Sequence, residues 1–250
     1  MKYLLIVLAV ATLILNFLLF QNSDKGMPAN YLFNALYATL FLIGGIYGLI
    51  KTNAFSKKDP DLGKTFLYFG IAMAFYALGL FVWVYYNLIL RVSIPYPSFA
   101  DVFFVLFYPT AIMGSHYLIK YLKSRVKVGT MVQGSLFFVV FFSIIYFFLT
   151  QTSLIDRTSV EGAILDILYP LGDASLAALG VTILVAERGL NNFKSLLFFT
   201  FGFITLALAD TLFSYLSSHN LYWNGDISDT LFAFSGFLIS WGLITLKPRA

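Results

Sequence analysis

Five aspartates stand in or at the ends of long apolar runs, and these side chains could do chemistry. They are Asp101, Asp166, Asp173, Asp210 and Asp229. A carboxylate inside a bilayer costs roughly 2.5–3.5 kcal/mol on insertion scales, and such acids commonly contact one another, a ligand, an ion or water. A carboxyl group held there can accept or donate hydrogen bonds, pair with a cation or exchange a proton. The five acids therefore mark the place where a binding site is expected.

The runs that carry these acids are long enough to be membrane helices. Of the 250 residues, 60% are hydrophobic and only 11% are charged, whereas soluble domains carry about 25% charged residues. About 20 apolar residues cross a bilayer as one helix. The sequence predicts a single transmembrane domain, residues 1–250, with helices at roughly 3–20, 31–50, 65–90, 99–119, 128–149, 162–186, 195–217 and 227–246. We therefore expect an all-α, multi-pass integral membrane protein, with the lipid bilayer as its surroundings.

The basic residues predict how these helices are oriented. Most of the 16 Lys and Arg residues lie in alternate loops, and the intervening loops hold Lys25, Arg91 and Arg157. The positive-inside rule then places both termini in the cytoplasm, in the cell (cytoplasmic) membrane. All five aspartates fall in the outer half, where Arg91 or Arg157 could pair with an acid at the mouth of a cavity. Basic residues spread over short loops favour no nucleic-acid partner.

Two of the acids lie well inside their helices. Asp210 is predicted about 10 Å below the outer end of its helix. Asp173 follows Asp166 by seven residues, so both lie on one helical face. For the three acids at helix ends, N-capping of the backbone is an alternative role. Capping cannot explain Asp173 or Asp210, so we expect these two to line an outward-facing cavity.

Tyr-Pro pairs stand in two of the same helices, at Tyr108-Pro109 and Tyr169-Pro170. Proline inside a helix removes one backbone hydrogen bond and kinks the axis. The second pair lies between two of the aspartates, so a kink there could open that helix as a pocket wall; a kink made for packing alone is the alternative. The hydroxyls of Tyr108 and Tyr169 are predicted to join the site.

The even-numbered helices share a spacing between a polar residue and a glycine. The pairs are Asp101–Gly114, Asp166–Gly180 and Asp229–Gly242, and Asn34 with Gly44-Gly45 is the counterpart at a shorter spacing in the second helix. Glycines at matched depth would allow neighbouring helices to approach closely. This spacing predicts four repeated hairpins, with chance similarity among hydrophobic helices as the alternative.

The start of the fourth predicted helix carries a longer motif. From Pro97 to Pro109 it reads Pro-Ser-Phe-Ala-Asp-Val-Phe-Phe-Val-Leu-Phe-Tyr-Pro. It resembles the multi-pass N-terminal membrane sensor region found ahead of diguanylate cyclase, phosphodiesterase and histidine kinase modules. The later matching positions, within roughly residues 64–247, are Leu165-Asp166, Tyr169-Pro170, Asp173, Ala209-Asp210 and Asp229. The resemblance implies a sensing module without naming a ligand. Since the chain ends four residues after the last predicted helix, we expect the signal to pass to a separate cytoplasmic partner.

Several other membrane chemistries lack the residues that they need. The sequence has no cysteine, and its two histidines, His116 and His219, are predicted at opposite depths, so they cannot share a haem iron or a zinc ion. No lysine lies inside a predicted helix to form a retinal Schiff base. We therefore expect no cofactor, no metal and no catalytic residue.

The leading interpretation is a membrane-embedded sensor or receptor-like module whose outward-facing acidic cavity takes a small molecule. A small transporter or proton-coupled carrier is one alternative, because intramembrane acids suit cation coupling. A second alternative is an aspartate-dependent lipid hydrolase, since Gly172-Asp173 and Ala209-Asp210 are similar to motifs of lysoplasmalogenase-type enzymes. The lysine-proline motif of that family is not found here, so the sequence leans away from an enzyme.

Overall fold

The computed structural model describes residues 1–92, 94–122, 126–152, 159–188 and 192–248, and every regular element in these ranges is a helix. Eight α-helices are long and apolar enough to cross a membrane, which confirms the predicted all-α fold and suits a multi-pass membrane protein. They are α1 (Lys2–Gln21), α2 (Pro28–Ser56), α3 (Pro60–Val84), α4 (Phe99–Tyr121), α5 (Val128–Gln151), α6 (Val160–Ala186), α7 (Phe193–Ser218) and α8 (Ile227–Thr245). A π-helical segment, Tyr85–Leu90, extends α3.

Side-chain caps determine where the even-numbered helices from α4 onwards begin. The N-cap residues are Ser98 for α4, Ser159 for α6 and Asp226 for α8. Asp101 completes a capping box with the first of these residues, so its predicted capping role is real. Asp166 and Asp229 are not N-caps, because other residues hold those positions. Asp229 nevertheless accepts a 2.6 Å hydrogen bond from the Gly225 N–H just before α8, whereas Asp166 lies seven residues after the N-cap of its helix.

Six of the helices close into a ring. Around it, α2 contacts α3, α3 contacts α4, α4 contacts α6, α6 contacts α7, α7 contacts α8, and α8 returns to α2. Outside the ring, α1 packs against α2 and α8, while α5 packs against α6 and touches α7. We call the end at which α2, α4, α6 and α8 begin the acidic end, and the opposite end the basic end.

Glycines allow the closest approaches between the helices of the ring. A Cβ atom on residue 48 would lie 2.8 Å from Gly70 Cα, so α2 and α3 meet backbone to backbone. A Cβ atom on residue 180 would lie 3.2 Å from Thr200 Cα, at the contact of α6 with α7. Small residues at such crossings are typical of membrane helix pairs, because packing replaces the hydrophobic effect as the force that holds them together.

Aromatic side chains fill the ring towards its basic end. The ring of Phe69 lies 4.5 Å from that of Phe199, centroid to centroid, and Phe199 lies 4.9 Å from Phe203. Two helical turns further along α3, Tyr76 packs against Phe41 at 4.3 Å. This packing fills the ring between its basic end and Tyr76, so open space remains at the acidic end.

Candidate ligand-binding cavity

A cavity of about 510 Å³ lies within the ring at its acidic end, and all five predicted aspartates line it. They come from α4, α6, α7 and α8, so the fold gathers residues that lie up to 128 positions apart in the sequence. The volume falls within the range of about 300–1,000 Å³ that is typical of small-molecule sites. The convergence of the acids is therefore observed, whereas ligand binding itself stays a prediction.

Asp173 and Asp210 form the deep part of the acidic lining. Asp173 is 3% exposed and accepts a 2.9 Å hydrogen bond from the Tyr108 hydroxyl. Asp210, on the neighbouring helix, lies near enough for the two carboxyl groups to interact electrostatically. Its Oδ2 atom is buried and receives no hydrogen bond from the described residues. The deep end of the cavity therefore contains an acceptor that the described protein does not satisfy.

Asp229 differs from Asp210 because protein donors surround its carboxyl group. The Gly225 N–H donates to it at 2.6 Å, and the hydroxyls of Tyr37 and Tyr222 donate at 3.2 Å each. Burial, and after it the charge of Asp229, raise the pKa of Tyr222 well above the ordinary value of 10.0. Asp229 thus lines the cavity and also ties α8 to α2 and to the loop before it.

Two tyrosine–aspartate hydrogen bonds join α4 and α6 reciprocally. Tyr108 of α4 donates to Asp173 of α6, and Tyr169 of α6 donates to Asp101 of α4 at 2.5 Å. Both predicted tyrosines therefore contact predicted aspartates, each on the opposite helix. The two helices continue without a break through the prolines that follow these tyrosines, and Pro170 lines the cavity.

The remaining acids lie at the mouth of the cavity. Asp101 is held by the backbone N–H of Ser98 at 2.6 Å and by its hydroxyl at 2.8 Å. Asp166 accepts a 2.7 Å hydrogen bond from Tyr96, an exposed residue on the segment before α4. Serine and tyrosine hydroxyls therefore surround the entrance.

The structure does not bring Arg91 to these acids. Arg91 follows the π-helical extension of α3, has a left-handed backbone and lies beside Gly26 and Tyr31 in a separate groove. The chain turns there towards the α1–α2 loop, which carries the arginine away from the cavity. Arg157 lies outside the described residues. The described wall of the cavity contains no Lys, Arg or His side chain.

Amide side chains and one indole hold the loop between α7 and α8 at the acidic end. Asn30 of α2 donates to the Asn224 carbonyl at 2.6 Å, and the indole of Trp83 donates to the Asn224 side chain at 2.9 Å. Asn16 of α1 donates to the Gly225 carbonyl at 2.9 Å. Three helices thus anchor the loop that carries the donors to Asp229.

Sequence reasoning missed several residues of the cavity wall. These are Tyr37, Tyr76, Trp83, Tyr96, Thr211, Ser214 and Tyr222. The α7 hydroxyls had a detectable signal, because Thr211, Ser214 and Ser218 follow Asp210 at helical spacing on one side of α7. The aromatic residues had none. Those near helix ends are also typical of the membrane interface, and Tyr37 and Tyr76, which lie well inside their helices, resemble ordinary core residues.

Within the described residues, no three His, Asp or Glu side chains are placed to hold a metal ion. No protein family, curated protein or solved structure matches this chain. The cavity and its lining are therefore the features of this protein that indicate a function.

Proposed function

We propose that this protein is a membrane-embedded sensor or receptor-like module that binds a small molecule in its acidic cavity. The observation that carries the proposal is a cavity of about 510 Å³ whose deep wall includes Asp210, with a buried oxygen left without a described partner. Buried polar groups are nearly always paired. A bound molecule would supply the missing donor.

The proposed orientation places the acidic end outside and both termini in the cytoplasm of the cell membrane. It is supported by the concentration of Lys and Arg in the loops of the basic end. A ligand would then enter from the outer side, and the basic end would face a separate cytoplasmic signalling partner. The proposed four-hairpin repeat is supported by contacts within each successive pair, α1–α2, α3–α4, α5–α6 and α7–α8.

Packing below the cavity favours a receptor over a transporter. A carrier must at some stage open the site to the other side, and here that would require separating the buried rings of Phe69, Phe199 and Phe203 between the cavity and the basic end. The reciprocal hydrogen bonds between α4 and α6 offer a way for a ligand to act. A molecule that competes for Asp173 would release Tyr108 and so change how these two helices pack. A local change of hydrogen bonding could in this way be transmitted along the helices to a distant part of the protein.

A lipid hydrolase is a second candidate, because Asp173 and Asp210 interact inside one cavity. Paired carboxyl groups can divide the roles of acid and base. The described wall offers no cation to hold a phosphate group, which weighs against phospholipid substrates. Turnover of lysolipids by the purified protein, lost in the Asp173→Asn variant, would favour the hydrolase over the receptor.

Native mass spectrometry of protein extracted in mild detergent tests the binding function. The wild type should carry a bound small molecule, and Ser214→Phe should lose it, because residue 214 lines the cavity and a phenyl ring would fill part of it. Ser143→Phe is the matched control, since residue 143 is an exposed serine of α5. An adduct equal in all three proteins, or found in none of them, contradicts the proposal.

A further inference from the structure

We infer that the molecule bound in this cavity is an organic cation, with an ammonium group at Asp210 and an apolar body. This inference rests on the proposed binding function and adds the chemical class of the ligand. Four features of the wall carry it: its acidic side chains, the Asp210 oxygen without a described donor, its aromatic faces and the apolar surface that α5 contributes.

The described wall of the cavity offers acidic side chains and no basic ones. Five carboxyl groups line the cavity, and no described Lys, Arg or His faces them. Buried charges in proteins are paired, because an unpaired charge in a medium of low dielectric constant is costly. An anionic ligand would add to the repulsion, whereas a cation would offset it. The wall therefore selects against carboxylates and phosphates and in favour of ammonium groups.

Hydrogen bonding places the cation at the deep end. Asp101, Asp166, Asp173 and Asp229 each accept a hydrogen bond from a tyrosine hydroxyl. The Asp210 carboxyl group accepts none from the described residues, and its Oδ2 atom is buried. An ammonium group has several N–H donors and no acceptor, so it fits one orphaned oxygen and the nearby Asp173 carboxyl group together. Such a charge-assisted bond is about twice as strong as a neutral one.

Aromatic rings surround the acids. The cavity wall includes Tyr76, Trp83, Phe104, Phe213 and Phe232. The rings of Trp83 and Phe213 meet edge to face at 5.6 Å, which holds them in a defined arrangement. A cation over the face of such a ring is attracted by the ring quadrupole, and the attraction grows when water is excluded. Acid and aromatic groups on one wall are the combination that suits an organic cation.

The apolar part of the wall comes from a helix outside the ring. Ile145 and Leu149 of α5 line the cavity, although α5 packs against the outer surfaces of α6 and α7. Both side chains are almost fully buried and cluster with Ala207 of α7. They give the cavity a side where hydrocarbon is favoured over water. A ligand with an aryl or alkyl body would use this side while its ammonium group meets Asp210.

Binding of three matched compounds to the full chain in lipid nanodiscs tests the inference. The probes are 2-phenylethylamine, 2-phenylethanol and phenylacetate, which share an aryl body and differ in charge. We expect the amine to bind about tenfold or more tightly than the alcohol, and phenylacetate not to bind. Asp210→Asn should weaken amine binding by about tenfold or more, which corresponds to about 1.4 kcal/mol, and should leave binding of the alcohol unchanged.

Two further variants keep the test decisive. Asp61→Asn, at the basic end where that carboxylate pairs with Lys120 at 3.5 Å, should bind the amine as the wild type does. If Asp210→Asn does not fold, Asp173→Asn replaces it, with the same expected direction.

The outcomes separate this inference from the proposed function. An alcohol or acid that binds as tightly as the amine, or amine binding that neither cavity variant weakens, overturns the organic cation. If none of the three probes binds although native mass spectrometry detects an adduct, the cation fails and the receptor-like cavity stands. If no adduct is found either, both proposals fail.

Discussion

Replacing Gly172 with alanine should break the contact between α4 and α6 at the cavity. A Cβ atom on residue 172 would lie 2.5 Å from Tyr108 Cε1 and 2.6 Å from Tyr108 Cγ. Carbon atoms pack best at about 3.5–4.0 Å, so the ring must move by roughly 1 Å. That movement would lengthen the 2.9 Å hydrogen bond from the Tyr108 hydroxyl to Asp173 beyond a useful distance.

Three contributions determine how much stability this change should cost. Overpacking of a buried site costs about 1–3 kcal/mol, and the lost hydrogen bond about 0.5–1.5 kcal/mol. The higher helix propensity of alanine returns up to about 1 kcal/mol. Gly172→Ala should therefore lower the free energy of unfolding by about 2 kcal/mol, measured by denaturant unfolding in mixed micelles.

Two comparisons make this result specific. Gly129→Ala is the matched control, because a Cβ atom at residue 129 would meet nothing within 4 Å, and its stability should equal or slightly exceed that of the wild type. In a Tyr108→Ala background the clash disappears, so Gly172→Ala should then be neutral or stabilising. If Gly172→Ala is as stable as Gly129→Ala, or if its cost is the same in both backgrounds, a clash with the Tyr108 ring is not the cause.

Two other changes address the ring and its acidic end. Thr200→Val removes the 2.9 Å hydrogen bond from α7 to the Gly180 carbonyl of α6 and should lower the free energy of unfolding by about 1 kcal/mol in the same assay. Ser175→Ala is the control and should cost less, because the Ser175 hydroxyl bonds within its own helix. Equal losses of stability in the two variants would contradict this prediction. Because the pKa of Tyr222 is raised by burial and by Asp229, the unfolded chain loses that proton first, so stability is full below about pH 10 and falls above it. Tyr222→Phe should flatten that fall, measured as unfolding free energy between about pH 8 and about pH 11; an unchanged pH profile would show that another group controls it.

The helices were largely predictable because their signal is local. Every predicted span lies within or close to an observed helix, since hydrocarbon length and the absence of charge are properties of consecutive residues. The ends were less predictable. The N-cap of α6 is Ser159 and that of α8 is Asp226, which lie seven and three residues before the acids considered for that role.

The site was predictable in its residue types but not in the roles of individual residues. A carboxyl group in an apolar run is conspicuous because it is costly, so all five acids of the cavity could be named from sequence. Nothing in the sequence distinguishes Asp229, which accepts from a backbone N–H and two tyrosine hydroxyls, from Asp210, whose Oδ2 atom has no donor among the described residues. Arg91 was expected at the mouth because of its loop, and the turn after α3 directs it elsewhere.

The sequence by itself determined that this chain forms eight apolar helices and that five of its acids needed partners, because burial cost and helix length depend on residue type and local order. The tertiary structure alone decided which partners they have. Closure of six helices into a ring brings Tyr108 to Asp173, Tyr169 to Asp101, and Asp210 to a cavity wall without a described donor. These partnerships depend on where helices that are far apart in the chain cross one another. A difference of a few ångströms at such a crossing decides whether a carboxyl group has a hydrogen-bond donor.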